Sequence, residues 1–100
     1  MIQHVVMWKM RGPSSEEKRE QAERVRAALR ALEGKIPGMT ELRVGLSASG
    51  DGEEVSDVVL ITTHEDWKAL EAYQKHPEHQ AVAKIIGELR VERRVVDFEL

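Results

Sequence analysis

A tyrosine, two histidines and a proline fall together in AYQKHPEHQAV, residues 72–82. Pro77 has no N–H, and its ring clashes with the helical carbonyl four residues back, that of Tyr73, so it ends one helix. At the first position of the next helix it fits without strain. His76 then takes the N-cap position, with extended backbone and a ring placed to meet a free N–H or solvent. His79 lies in the first turn that follows, where the positive end of the helix dipole disfavours the imidazolium. A ring held neutral near physiological pH is the form a general base requires. With His79 as base and Tyr73 donating a hydrogen bond to a developing oxyanion, the pair would abstract a proton from a carbon next to a carbonyl, without any cofactor. The plainer reading has Tyr73 and His79 packed under the helices, satisfying each other or a backbone carbonyl.

No metal site is expected from His76 and His79. They are three apart with Glu78 between them, but the first lies outside the helix, whereas the zinc helix uses a spacing of four with its glutamate next to the first histidine. His64 reads as a surface or capping residue. His4, in the first strand, and Asp57, before the third, have parities compatible with one face. Antiparallel strands would hold them about four or five residues apart at about 3.3 Å each, so both are expected to border a pocket from opposite ends without touching. Trp8 lies closer to Asp57, as core filler or cavity lining. The candidate ligand-binding residues are thus His4, Val6, Trp8, Asp57 and Val59.

These residues need elements to position them. IQHVVMWK, residues 2–9, is a strand closed by RGPSS. Ser14 with Glu17 is a capping-box pattern, and Ala22, Val25, Ala28, Leu29 and Leu32 recur at helical spacing, which predicts a helix over about 15–33 ended at Gly34. Leu42, Val44 and Leu46 alternate as an edge strand. SASGDGEE, residues 47–54, is a small acidic surface loop expected to be mobile, and SDVVLITT, residues 56–63, is a central strand apolar on both parities. Thr63 and Asp66 repeat the capping pattern before a helix over about 65–75. A third helix from Pro77 buries Val82, Ile85, Ile86 and Leu89, and VERRVVDFEL, residues 91–100, alternates as the last strand.

Composition narrows the function classes. One small domain, residues 1–100, has a thin core. Eighteen acidic against fifteen basic side chains, a net charge of −3, leave no basic face for phosphates, so nucleic acid is not expected as a partner. Absence of cysteine excludes disulfides, thiolate metal sites and cysteine nucleophiles. The N-terminal stretch lacks the marks of a signal peptide and no run is apolar enough for a membrane span, which leads to the expectation of a soluble cytoplasmic protein. EEKREQAERVR reads as a solvated helix face, and no phosphate loop, serine elbow or catalytic carboxylate pair is present.

The element order βαβ followed by βαβ, the last helix broken in two, predicts an α+β ferredoxin-like βαββαβ plait with a four-stranded antiparallel sheet ordered 4-1-3-2 and both helical layers on one face. The central strands are nonetheless apolar on both parities, with His4, Val6 and Trp8 against Val5 and Met7, and Val59 and Ile61 against Val58 and Leu60. The uncovered face predicts a homodimer with two sheets packed face to face, about 10 Å apart.

HVVMWK, SDVVLITTHED and above all AYQKHPEHQAV resemble the stress-responsive A/B barrel, or Dabb, domain family over essentially the whole chain. The resemblance implies a dimeric α+β barrel. Plant members are linked to stress tolerance, bacterial members are mostly without known activity, and a few relatives are cofactor-free polyketide-type cyclases. In those cyclases a histidine and a tyrosine beside this proline carry the chemistry, roles that would fall on His79 and Tyr73, with His4 at the pocket wall. Where such cyclases have a further histidine on the third strand, this sequence has Asp57. Two functions follow as expectations: binding of a small hydrophobic molecule between sheet and helices, or turnover as a cofactor-independent cyclase or lyase.

Overall fold

The computed structural model of the chain describes residues 1–50 and 52–100. Its elements run β1 (Ile2–Met10), α1 (Ser15–Arg30), β2 (Met39–Leu46), β3 (Val58–His64), α2 (Trp67–Lys75), α3 (Pro77–Leu89) and β4 (Arg90–Glu99). Among the described residues the strands form one antiparallel sheet in the order β2-β3-β1-β4, the expected order read from the other edge. The chain is an α+β ferredoxin-like βαββαβ plait.

Local chemistry sets the helix ends. The Ser14 hydroxyl accepts the Glu17 N–H at 3.1 Å and starts α1. That helix stops at Arg30, three residues short of the sequence expectation, because Leu32 and Glu33 turn back to the Leu29 and Arg30 carbonyls in tighter bonds and Gly34 then takes a positive φ of 78°. Asp66 alone caps α2, accepting the Ala69 N–H at 2.8 Å, while Thr63 stays within β3. Gly38 also has a positive φ, and a β-carbon there would fall 2.7 Å from Ala69 Cβ, so the entry to β2 passes close over α2. His76 is the N-cap of α3. Its Nδ1 accepts the Glu78 N–H at 3.1 Å, with Pro77 opening the helix. Asp51, within the acidic 47–54 loop, lies outside the described residues.

Burial alternates strictly in β1. Ile2, His4, Val6, Trp8 and Met10 are buried and pack with Val25 and Leu29 of α1, Tyr73 of α2 and Ile86 of α3, while Gln3, Val5, Met7 and Lys9 face the other way. On that other face Val5 pairs with Ile61 and Val96, Met7 with Val59, and Gln3 with Phe98. Met7, Val96 and Phe98 are exposed there, at 40%, 53% and 39%.

The end of β3 departs from the sequence reading. His64 is neither a surface nor a capping residue: it is fully buried, its Nε2 is 2.9 Å from Thr62 Oγ1, and its Nδ1 has no partner among the described residues. Pairing with Ile2 draws the end of β3 across the core instead of leaving it at the helix start. Burial, with the nearby His4 adding and Asp97 opposing, lowers the His64 pKa from the usual 6.5 to about 4. An unfolded chain therefore takes up this proton at a higher pH than the folded one, so His64 makes stability fall as pH drops from about 6.5 to about 4. Urea midpoints measured across that window should decline on acidification, and less steeply in His64→Gln. An identical slope in the variant would show that His64 is not the buried proton acceptor.

Candidate functional site

Between the helix-covered face of the sheet and α2 and α3 lies a partly enclosed cavity of about 110 Å³. His4, Val6 and Trp8 from β1 form its floor, Tyr73 and His79 stand at one side, and Val82 and Ile86 of α3 form its roof. The walls are mostly apolar and the polar groups few, the usual make-up of a small-molecule site. Strand alternation brings His4, Val6 and Trp8 to one wall, and the proline break between α2 and α3 turns His79 back beside Tyr73.

Four aromatic rings meet here. The Tyr73 ring centroid is 4.4 Å from that of His79, 5.0 Å from His64 and 5.9 Å from His4. Tyr73 is 1% exposed, and its hydroxyl has no hydrogen-bond partner among the described residues. Burial raises its pKa to about 12 although the charge of Arg93 pulls the other way, so the hydroxyl keeps its proton and remains a donor. Leaving such a group unpaired costs about 1–3 kcal/mol.

The imidazoles are held in defined forms. His79 Nδ1 lies 3.1 Å from the Gln74 carbonyl. A carbonyl only accepts, so Nδ1 carries the hydrogen and the neutral ring leaves Nε2 bare. Burial lowers the His79 pKa, the Gln74 bond opposes it, and the charges of His4, Arg93 and His76 add to the lowering. The ring is thus neutral, and the main cause is burial rather than the helix dipole. His4 Nδ1 meets Asp97 Oδ1 at 2.5 Å across the β1–β4 pair, an oriented histidine–carboxylate dyad within 6.3 Å of the His64 ring. Among the described residues no three His, Asp or Glu side chains converge as a metal-ion donor set.

Two expected wall residues lie elsewhere. Even-numbered residues of β3 pair with even-numbered residues of β1, as Trp8 with Val58, Val6 with Leu60 and His4 with Thr62, so odd-numbered ones turn to the opposite face. Val59 accordingly stands opposite Met7 and Gly45 on the open face, not on the cavity wall. Asp57 does not line this cavity either. Its carboxylate accepts the Met10 N–H at 2.7 Å and its own N–H donates to the Trp8 carbonyl at 2.8 Å, tying down the irregular end of β1. As expected, Asp57 does not touch His4, whose partner is Asp97. Asp97, Arg93 and His64 were not picked out from sequence, although Arg93, Val95 and Asp97 share one parity of β4 and so one face.

No curated protein matches the chain significantly. Among solved structures, a dimeric protein of unknown function from Bacteroides fragilis is 30% identical with a TM-score of 0.84, covering 99% of this chain and 95% of its own. A dimeric ferredoxin-like protein of unknown function from Thermobifida fusca is 25% identical with a TM-score of 0.83, covering 99% and 90%. A third such protein, from Jannaschia, is 27% identical with a TM-score of 0.78, covering 99% and 98%. No helix among the described residues is long and apolar enough to cross a membrane. The Stress responsive A/B Barrel Domain model matches residues 2–100, and the chain belongs to that family, Dabb.

Proposed function

We propose that this chain works as a homodimer joined through its open sheet face, each subunit holding one small hydrophobic molecule in the pocket of His4, Val6, Trp8, Tyr73 and His79. The buried Tyr73 hydroxyl carries this reading: its residue lines an apolar cavity, and the hydroxyl retains its proton and has no partner among the described residues, so a ligand oxygen that accepts from it would recover a lost hydrogen bond. The row of Val5, Ile61 and Val96, flanked by exposed Met7 and Phe98, supports the dimer, as do three relatives described as dimeric.

A second reading rests on the bare Nε2 of His79. As a cofactor-independent cyclase or lyase, the protein would bind a carbonyl compound with its oxygen at Tyr73. His79 Nε2 would take the proton from the adjacent carbon, and the C–H pair would become the C=C bond of an enolate as the carbonyl π pair moves to the oxygen held by the Tyr73 hydroxyl. That carbon would then attack a second carbonyl of the same molecule as the first C=O reforms, and the imidazolium would give its proton to the new alkoxide. His4, fixed by Asp97, stands within the same ring cluster as a second proton acceptor.

Light-scattering mass at micromolar concentration should equal two chains of 11.4 kDa each, and Met7→Lys with Val96→Lys should give one. A wild-type mass of one chain would contradict the dimer. For the pocket, native mass spectrometry of purified protein should detect a bound small molecule whose retention falls about fivefold to a hundredfold in Tyr73→Phe, the loss of one hydrogen bond. If the protein turns that molecule over, His79→Ala should lower exchange of its α-hydrogens for solvent deuterium by about a hundredfold or more while binding persists. Because the His79 pKa is lowered, the acid limb of that rate should lie below pH 6.5. Binding without exchange in either form supports the binding role alone; an acid limb above pH 6.5 would remove His79 as the base.

A further inference from the structure

Two arginines reach the rim of the pocket, half-buried Arg90 at the start of β4 and exposed Arg93 further along it, opposite Trp8. Among the described residues neither guanidinium has a hydrogen-bond or ion-pair partner. Asp97, four residues further along the same face of β4, is engaged by His4. The charge of Arg93 is nevertheless felt inside the cavity, since it acts on both the Tyr73 hydroxyl and the His79 ring. An uncompensated cation therefore stands at the mouth of an apolar recess that also holds an unpartnered, buried hydroxyl.

Such an arrangement has a chemical preference. A cation at the lip of a low-dielectric recess draws in an anion. A guanidinium offers parallel donors that match the two oxygens of a carboxylate, which a neutral amide cannot match in charge. The geometry points to an apolar monocarboxylate as the occupant of this pocket, its carboxylate held by Arg93 and the Tyr73 hydroxyl and its hydrocarbon body set against Val6, Trp8 and Ile86. This rests on the reading of the cavity as a small-molecule site and adds the charge and class of the ligand. Arg93 is then a specificity-determining residue.

Benzoate and its neutral analogue benzamide provide the probes. Titrated into the protein and followed by amide chemical shifts, benzoate should perturb the signals of Tyr73, His79 and Ala83, which also lines the pocket, and bind about tenfold tighter than benzamide, the low end for a charge-assisted bond at an exposed rim. Arg93→Gln should erase that preference while the rest of the amide spectrum is unchanged, and Arg24→Gln, on the outer face of α1, should keep it. Equal affinity of the wild type for the two probes overturns the carboxylate assignment and leaves the pocket reading standing, and so does a preference that survives Arg93→Gln. Shifts from neither probe at these residues would count against both.

Discussion

The register of β1 between β3 and β4 is the constraint from which the rest of this structure follows. Pairing His4 with Thr62 on one side and Asp97 on the other puts every even-numbered residue of β1 under the helices, and a slip by one residue would send His4, Val6 and Trp8 to the opposite face. The same register aligns Val5 with Ile61 and Val96 on the uncovered face. Pocket and open face are therefore two sides of one pairing pattern. Asp57 defends it at the strand end, where its carboxylate takes the Met10 N–H beside the irregularity between Lys9 and Met10.

Within that frame the helix-covered core is unusual for its polar content. His4, Thr62 and His64 are buried with the aliphatic side chains, and Tyr73 completes the cluster. Among the described residues two of its polar atoms, His64 Nδ1 and Tyr73 Oη, have no partner. In a small domain with a net stability of about 5–15 kcal/mol, buried groups of this kind cost a noticeable share of the whole. The Tyr73 hydroxyl, a cost to the fold on a residue that lines a cavity, is better explained by what enters the cavity than by the fold. The two remaining imidazoles fit that view, since Gln74 and Asp97 fix one nitrogen each on His79 and His4 and leave the other unclaimed.

Much of the fold was legible in sequence because its signals are local. Ser14, Asp66, Gly34 and Pro77 act within a turn of their own position, and strand alternation needs only neighbours. Tyr73, His76 and His79 were readable around Pro77 for the same reason. What lay out of reach depends on pairing between distant strands: the parity match of β1 with β3 moves Val59 to the open face, and the match of β1 with β4 brings Asp97 to His4 and Arg93 to the rim. His64 was misread because a histidine just before a cap resembles surface punctuation until the sheet shows it opposite Ile2. Asp57 was assigned to the pocket on parity alone, while its backbone and carboxylate are occupied with the end of β1.

At the centre of the site is a tyrosine hydroxyl that is buried, protonated and, among the described residues, unclaimed. The chain has one tyrosine, so the ultraviolet absorbance of tyrosinate reports on Tyr73 alone. Titrated with base while circular dichroism follows the fold, the hydroxyl should ionise at about 12 in the folded protein, well above the usual 10.0. Ionisation at 10.0 with the fold intact would mean that Tyr73 faces water, and the pocket described here would not exist.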